Sequence, residues 1–354
     1  KLGFNFYHDE PLFGLDIGSS NLKVMQLDTD KAKAPRVVGY GISEFYPRNT
    51  TTEGVIVNQK QLGEALYDLL AKRLNGQITT KRVAATVPSS HTFTRPMKLP
   101  LMAKEELAEA VRLEVEQYVP VPIDSLYLDY DISRRDAKEI ELLSVAIPKK
   151  IVDSYLEFLE LMGLEPVSLE PTMNALARLF ASADQSRDVP SILVDLGSVA
   201  TDLAVFDKSM FVNSTVSSGS DHLLELIANR RGLSVDQARR LKNEKGVGKD
   251  SDLFQIVQPL LDNLVKEIQK VIRYYSERST PAQHNIAQIV LTGGGSTTPG
   301  LGEYLTKQLN LPAKILDPWA RLDFSGLPLP GEFDRPIYLT VAGEAMLRPG
   351  EIFV

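Results

Sequence analysis

Residues 13–27 read FGLDIGSSNLKVMQL, and residues 192–206 read ILVDLGSVATDLAVF. Asp16 aligns with Asp195, Gly18 with Gly197 and Ser19 with Ser198, an offset of 179 residues in a chain of 354. Each copy is an apolar run, an acidic residue, a tight turn carrying Gly and Ser, and a second apolar run. That pattern predicts a β-hairpin at the edge of a buried sheet. The offset is about half the chain and far too long for a solenoid unit, so it predicts two related lobes.

Outward from these hairpins, strands and helices alternate. Leu62, Leu66, Leu69 and Leu70 share one face of a predicted helix over 59–75. Residues 104–118 form a second amphipathic helix, with Leu107, Val111, Val115 and Tyr118 on one side, ending before Pro120 and Pro122. Further helices are predicted at 149–162 with Gly163 as C-cap, at 221–231, at 234–242 with Ser234 as N-cap, and at 259–277. Strands are predicted at 83–87, 126–132, 142–147 and 287–292. Residues 317–336, rich in Pro and Gly, read as loop. The alternation implies an α/β protein. The β-α-β-β stretch over 82–148 reads as a subdomain inserted in the first half.

Composition removes several function classes. With 43% hydrophobic and 24% charged residues, the chain can bury sizeable cores. A net charge of −7 argues against non-specific nucleic-acid binding. No cysteine is present, which excludes disulfide scaffolds and thiolate metal sites and fits a reducing compartment. No apolar run approaches the roughly 20 residues of a membrane-spanning helix. Three aromatics within KLGFNFYHD, residues 1–9, are read as packing on the fold. Sequons at Asn49 and Asn213 are too short to carry weight. Gly248-Lys249-Asp250 fails as a P-loop because Asp250 stands where Ser or Thr is required.

The turns carry the chemistry. Gly and Ser in a β-turn expose successive backbone N–H groups, which suit phosphate oxygens. Gly18 permits close approach, Ser19, Ser20 and Asn21 add donors, and Lys23 adds positive charge. Asp16 and Asp195, at strand ends, are placed where they could face a common Mg²⁺ with water between. Gly293, Gly294 and Gly295 end a strand before a predicted helix, whose N-terminus favours a nucleotide.

These motifs, in this order, resemble those of the actin-like ATPase superfamily (actin, Hsp70, sugar kinases, FtsA). FGLDIGSSNLKV is similar to its first phosphate motif, ILVDLGSVATDLAVF to its second and IVLTGGGSTTPGLGEYL to its adenosine motif. Leu169–Ala177 and Leu339–Met346 resemble its two connecting helices. MKLPLMAKEELAEAVRLEVEQYVPVPIDSLYLDYDI, residues 97–132, resembles the inserted 1C subdomain of the PilM family of type IV pilus assembly proteins, relatives of FtsA. The resemblance covers residues 12–347.

It implies a duplicated actin-like, ribonuclease H-like two-lobe fold. Lobe I would take 12–80, 166–190 and 337–354; the 1C insert, 81–165; lobe II, 191–217 and 284–336; and subdomain 2B, 218–283. It implies ATP and Mg²⁺ as cofactors, with Asp16 and Asp195 around the metal waters. Gly18, Ser19, Ser20, Asn21 and Lys23 would hold the phosphates from one side, and Gly197, Ser198, Thr201 and Asp202 from the other. Glu170 would open the first connecting helix as a water-orienting acid. Gly293, Gly294 and Gly295 would lie under the adenosine, with Lys242 on the ribose side. FtsA-like relatives place an acid where this chain has Arg239, which leaves that ribose contact open. The implied role is a cytoplasmic ATP-binding scaffold of the pilus platform, at the inner membrane through its partners. The N-terminal cytoplasmic peptide of PilN is the implied partner, with other platform proteins or motor ATPases beside it. The alternatives are an FtsA-like division factor or a filament-forming ATPase. Whether ATP is turned over stays open.

Overall fold

The computed structural model describes residues 11–29, 34–45, 50–183, 188–279 and 285–348; the N-terminal aromatics and Asn49 lie outside them. The first Asp-x-Gly-Ser turn joins β1 (Phe13–Ile17) to β2 (Asn21–Asp28) as an antiparallel hairpin. Strand β3 (Arg36–Glu44) pairs with β2. A small ladder of β4 (Thr51–Thr52) and β5 (Val55–Ile56) precedes α1 (Gln59–Lys72), whose cap Asn58 accepts from the Gln61 N–H. Edge strand β6 (Leu74–Gly76) follows, then β7 (Arg82–Val87), parallel to β1.

A separate three-stranded sheet comes next: β8 (Phe93–Pro100), then, after α2 (Lys104–Glu116), the hairpin of β9 (Leu126–Arg135) and β10 (Glu139–Pro148). Leu107, Val111 and Val115 of α2 are buried against it, as their spacing predicts. Each contributes about 1.5–3 kcal/mol by leaving water. The chain returns through α3 (Lys149–Leu161), β11 (Glu165–Pro171) and α4 (Thr172–Ala183).

The second half repeats the first. Strands β12 (Ser191–Leu196), β13 (Thr201–Asp207) and β14 (Ser209–Val216) form the hairpin and its third strand. Helices α5 (Ser220–Arg231), α6 (Val235–Lys245) and α7 (Phe254–Arg278) follow. Then come β15 (Gln288–Thr292), α8 (Leu301–Leu309), β16 (Ala313–Ile315) and α9 (Leu339–Ala345). One sheet runs β11-β7-β1-β2-β3-β6 and the other β14-β13-β12-β15-β16. Ignoring β6, both have the order third-second-first-fourth-fifth, with the same strand directions. The halves are thus topological duplicates. Among the described residues no helix is long and apolar enough to cross a membrane.

The structure redraws some expected boundaries. Strand β7 is an interior strand of the first lobe's sheet, and Ile151, Tyr155, Phe158 and Leu159 of α3 lie in that lobe's core. The insert is therefore 93–148 rather than 81–165, because both flanking elements bury their apolar faces in lobe I. Helix α1 stops at Lys72, and Leu74–Gly76 pairs with β3 instead. Helix α7 starts at Phe254, with Pro259 inside it. Proline removes one N–H bond near that end, and the stripe from Val257 to Tyr275 holds the helix on its sheet.

Helices α4 and α9 pack between the two sheets. Their Met173, Leu176, Phe180, Leu339 and Val341 join one buried cluster with Met25 and Tyr40 of the first sheet and Leu193 and Phe206 of the second. The crossing is close: a Cβ on Gly343 would lie 2.0 Å from the Ala175 carbonyl oxygen. Gly343→Ala is expected to cost about 1–3 kcal/mol by overpacking. Gly302→Ala, on α8 with its nearest neighbour 3.8 Å away, is expected to be neutral or stabilising. Thermal unfolding of the two variants checks this; equal melting temperatures would contradict the close crossing.

Candidate functional site

Strand register assembles the site. In the first lobe, Asp16 lies opposite Lys23 on β2 and Thr86 on β7, and Thr86 lies beside Glu170 on β11. The Lys23 ammonium sits 2.5 Å from Asp16 Oδ2, and Thr86 Oγ1 donates to Asp16 Oδ1 at 3.0 Å. In the second lobe, Asp195 lies opposite Asp202 on β13 and Thr292 on β15. Thr292 Oγ1 donates to Asp195 Oδ1 at 2.9 Å, and Asp202 accepts from the Thr215 hydroxyl. Asp16, Thr86, Asp195 and Thr292 lie at or next to the C-terminal ends of parallel strands, where open α/β sheets hold ligands. The hairpin tips meet across the cleft through a hydrogen bond between the Ser19 and Ser198 hydroxyls.

Glycines allow this approach. A Cβ on Gly18 would lie 3.0 Å from Asn21 Oδ1 and 3.2 Å from Lys23 Nζ. Gly293 has a φ of +76°, and a Cβ there would lie 2.6 Å from Asp195 Oδ1. Gly294 and Gly295 open a 3-10 turn rather than leading straight into α8, and Gly295 packs on Leu196. The second hairpin is tied to the start of α5: Ser220 and Asp221 N–H groups donate to the Gly197 and Ser198 carbonyls, each at 2.9 Å. The Ser20 carbonyl accepts from Phe45 N–H, anchoring the first hairpin. Thr201 Oγ1 donates to the Ser218 carbonyl.

Beside the second hairpin a cavity brings Thr201, Lys242 and Gly295 together with Gly219, Ser220 and Thr298. Lys242 is buried and its ammonium donates to Thr298 Oγ1 at 3.2 Å. Burial, then the neighbouring Arg239, push its pKa below the usual lysine value. Arg239 Nε is itself buried without a hydrogen-bond partner.

Glu170 differs from expectation. It is the penultimate residue of β11 rather than the opening of the helix, because its ladder with Thr86 continues to Pro171. Both its carboxylate oxygens are held by the Arg178 guanidinium, at 2.6 and 2.7 Å. Thr86, Thr292, Arg178 and Glu344 were missed by the sequence reading. Thr86 is the penultimate residue of its buried strand and Thr292 the last of its own, directly before the triple glycine, which is the one local signal available.

The family model for the type IV pilus assembly protein PilM matches residues 14–348. The chain belongs to the PilM family. Among solved structures, a PilM–PilN type IV pilus biogenesis complex superposes with a TM-score of 0.82 at 23% identity, covering 96% of this chain and 98% of that one. MreB5 of Spiroplasma citri bound to AMPPNP matches with a TM-score of 0.54 at 14% identity over 95% of each chain. The ethanolamine utilization protein EutJ from Carboxydothermus hydrogenoformans gives 0.57 at 15% identity, over 97% of this chain and 91% of that one. The fold is therefore the actin-like ATPase fold. The type II secretion system protein L of Xanthomonas campestris pv. campestris is 28% identical over 68 residues, which is 19% of this chain and 18% of that protein.

In this PilM-family chain, burial pushes the Asp195 carboxyl up to about 6, with a further push from Asp16, and burial pushes Asp202 up to about 7, with a further push from Asp195. Both pKa values are raised on folding, so the folded state holds these protons to higher pH than the unfolded chain. Stability from these groups is greatest below the unfolded value and falls as pH rises through about 4 to 7. Asp202→Asn is expected to flatten that slope and to raise the melting temperature at pH 8 relative to pH 5. Melting curves at both pH values check it; an unchanged difference would refute the buried carboxyl.

Proposed function

We propose that the chain is an ATP-binding scaffold of the type IV pilus inner-membrane assembly platform, which binds the N-terminal cytoplasmic peptide of PilN. Family membership supports the pilus role. The observation that carries the nucleotide reading is the pair of duplicated rows, Lys23-Asp16-Thr86 and Asp202-Asp195-Thr292, whose hairpins touch at Ser19 and Ser198. Phosphate oxygens placed there replace the hydroxyl contact and link the lobes through turns on both. Gly18, Ser19, Ser20, Asn21 and Lys23 bind from lobe I, and Gly197, Ser198, Thr201 and Asp202 from lobe II. Adenosine takes the side of Gly293, Gly294, Gly295 and Lys242.

The donor set fits Mg²⁺. Among the described residues no cluster of three or more His, Cys, Asp or Glu could cage a metal alone. Mg²⁺ usually takes one or two carboxylates and keeps waters and phosphate oxygens. Asp16 and Asp195 would hold those waters, and the ion would offset phosphate charge. The residues themselves orient: Thr86 and Thr292 fix the two carboxylates, each hydrogen bond to a charged group contributing about 1.5–3 kcal/mol. The partner assignment rests on the PilM–PilN likeness and on the 93–148 insert. An extended peptide at the junction of insert and lobe I would add backbone hydrogen bonds and fill side-chain pockets.

Asp16→Ala is expected to abolish retention of labelled ATP in filter binding, and undiminished retention would remove the nucleotide reading. The PilN N-terminal peptide is expected to bind the purified chain in calorimetry. Absence of heat, together with ATP-dependent pelleting, would favour a filament-forming ATPase instead.

A further inference from the structure

The proposed site contains a feature that a fast ATPase would not need. Glu170 continues the row Lys23-Asp16-Thr86 across the sheet, so it lies on the same face as Asp16. An acid in that position is suited to take a proton from water attacking a γ-phosphate. In this chain Arg178, eight residues along on α4, grips both its oxygens in a fork. Side-chain exposure is 14% for Glu170 and 23% for Arg178, so solvent competes little with the pair. The fork is set from behind. Arg178 Nη1 also donates to the Gly343 carbonyl at 3.0 Å and lies 4.0 Å from Glu344 Oε2 on α9.

Glu344 is fully buried, and neither carboxylate oxygen has a hydrogen-bond partner. Burial, then the neighbouring Glu170, raise its pKa well above the carboxylate range. Its carboxylate lies farther from the guanidinium, at 4.0 Å against 2.6 and 2.7 Å for Glu170, so the fork closes on Glu170. Guanidinium–carboxylate pairs of this bidentate kind are among the strongest hydrogen-bonded contacts a protein makes.

We propose that Arg178 is a positioning residue that withholds Glu170 from the γ-phosphate, so that bound ATP is retained as a structural ligand rather than turned over. This rests on the nucleotide reading above. Hydrolysis joins a water oxygen to the γ-phosphorus and breaks its bond to the β–γ bridging oxygen. The bond's electrons leave with ADP, and the water proton passes to a base and then to solvent. A carboxylate with both oxygens committed to a guanidinium is a poor base for that proton.

The test is single-turnover phosphate release from the purified chain with Mg²⁺ and labelled ATP, beside ATP affinity measured separately. Arg178→Lys keeps a cation against the Gly343 carbonyl but cannot hold both oxygens. Arg178→Gln gives an independent reading without charge. Both are expected to raise the release rate at least about tenfold, with ATP affinity held within about threefold. Adding Glu170→Gln to either is expected to return the rate to the wild-type value, which a loosened fold alone would not do. Release that is unchanged or slower in both variants while ATP stays bound overturns the proposal. So does a wild-type rate already as fast as the variants. A wild-type chain that binds no ATP overturns the nucleotide reading itself, and the affinity arm shows this before any rate is taken.

Discussion

Helices α4 and α9 cross so closely that Gly343 meets the Ala175 carbonyl with no room for a side chain. Everything between the lobes depends on that crossing. Each helix belongs by sequence to the end of a lobe, yet the cluster they share takes Met25 from one sheet and Leu193 from the other. The lobes thus share one hydrophobic unit at this crossing and touch at the hairpin tips through the Ser19–Ser198 hydroxyl pair. Gly14 on β1 continues the contact, since a Cβ there would meet the Val341 carbonyl at 2.7 Å. It lies two residues before Asp16, on the same face of its strand. The packing that joins the lobes therefore also sets where the first carboxylate points.

The hinge and the site are also linked through charge. Arg178 stands on α4, binds Glu170 at the end of β11 and reaches the α9 backbone at Gly343. A displacement of α4 against α9 would strain the Gly343 contact and the fork on Glu170 together, because Arg178 holds both. Protein interiors are close-packed and resist gradual deformation, so such a change favours discrete arrangements. A ligand that binds both hairpins has a physical route to the rest of the molecule. It does not need a long chain of intermediate contacts, because hinge and row share residues.

How much of this the sequence displays depends on how local the cause is. The two hairpins are visible because Asp-x-Gly-Ser turns are decided by neighbouring residues, and the repeat offset pairs them. Ser234 was readable as a cap because its capping box with Gln237 spans four residues. Thr86 and Thr292 were not readable, because their roles come from strand register. Arg178 looks like an ordinary helix charge until β11 and α4 are seen to fold back on each other. The boundary of the insert failed for the same reason. An apolar strand such as 82–87 carries no mark of the sheet it will join, and only partners on both sides place it in lobe I.

The duplication is not perfect, and one asymmetry bears on what can enter the cleft. Cross-strand from Asp16 stands Lys23, whereas cross-strand from Asp195 stands Asp202. The cleft therefore offers three carboxyls and one lysine where a phosphate chain is proposed to bind. Asp195 and Asp202 already resist ionisation in this arrangement, because burial raises both pKa values, with a further push on Asp195 from Asp16 and on Asp202 from Asp195. A bare polyphosphate would add negative charge to a site that has too much of it. A nucleotide carrying a divalent cation would reverse that balance and let both carboxyls ionise. The lysine on the opposite row keeps lobe I near neutrality without the ion. In lobe I the carboxylate already has its counter-charge in Lys23, whereas the facing pair in lobe II has none, and on the proposed reading that is the charge the ligand's cation would supply.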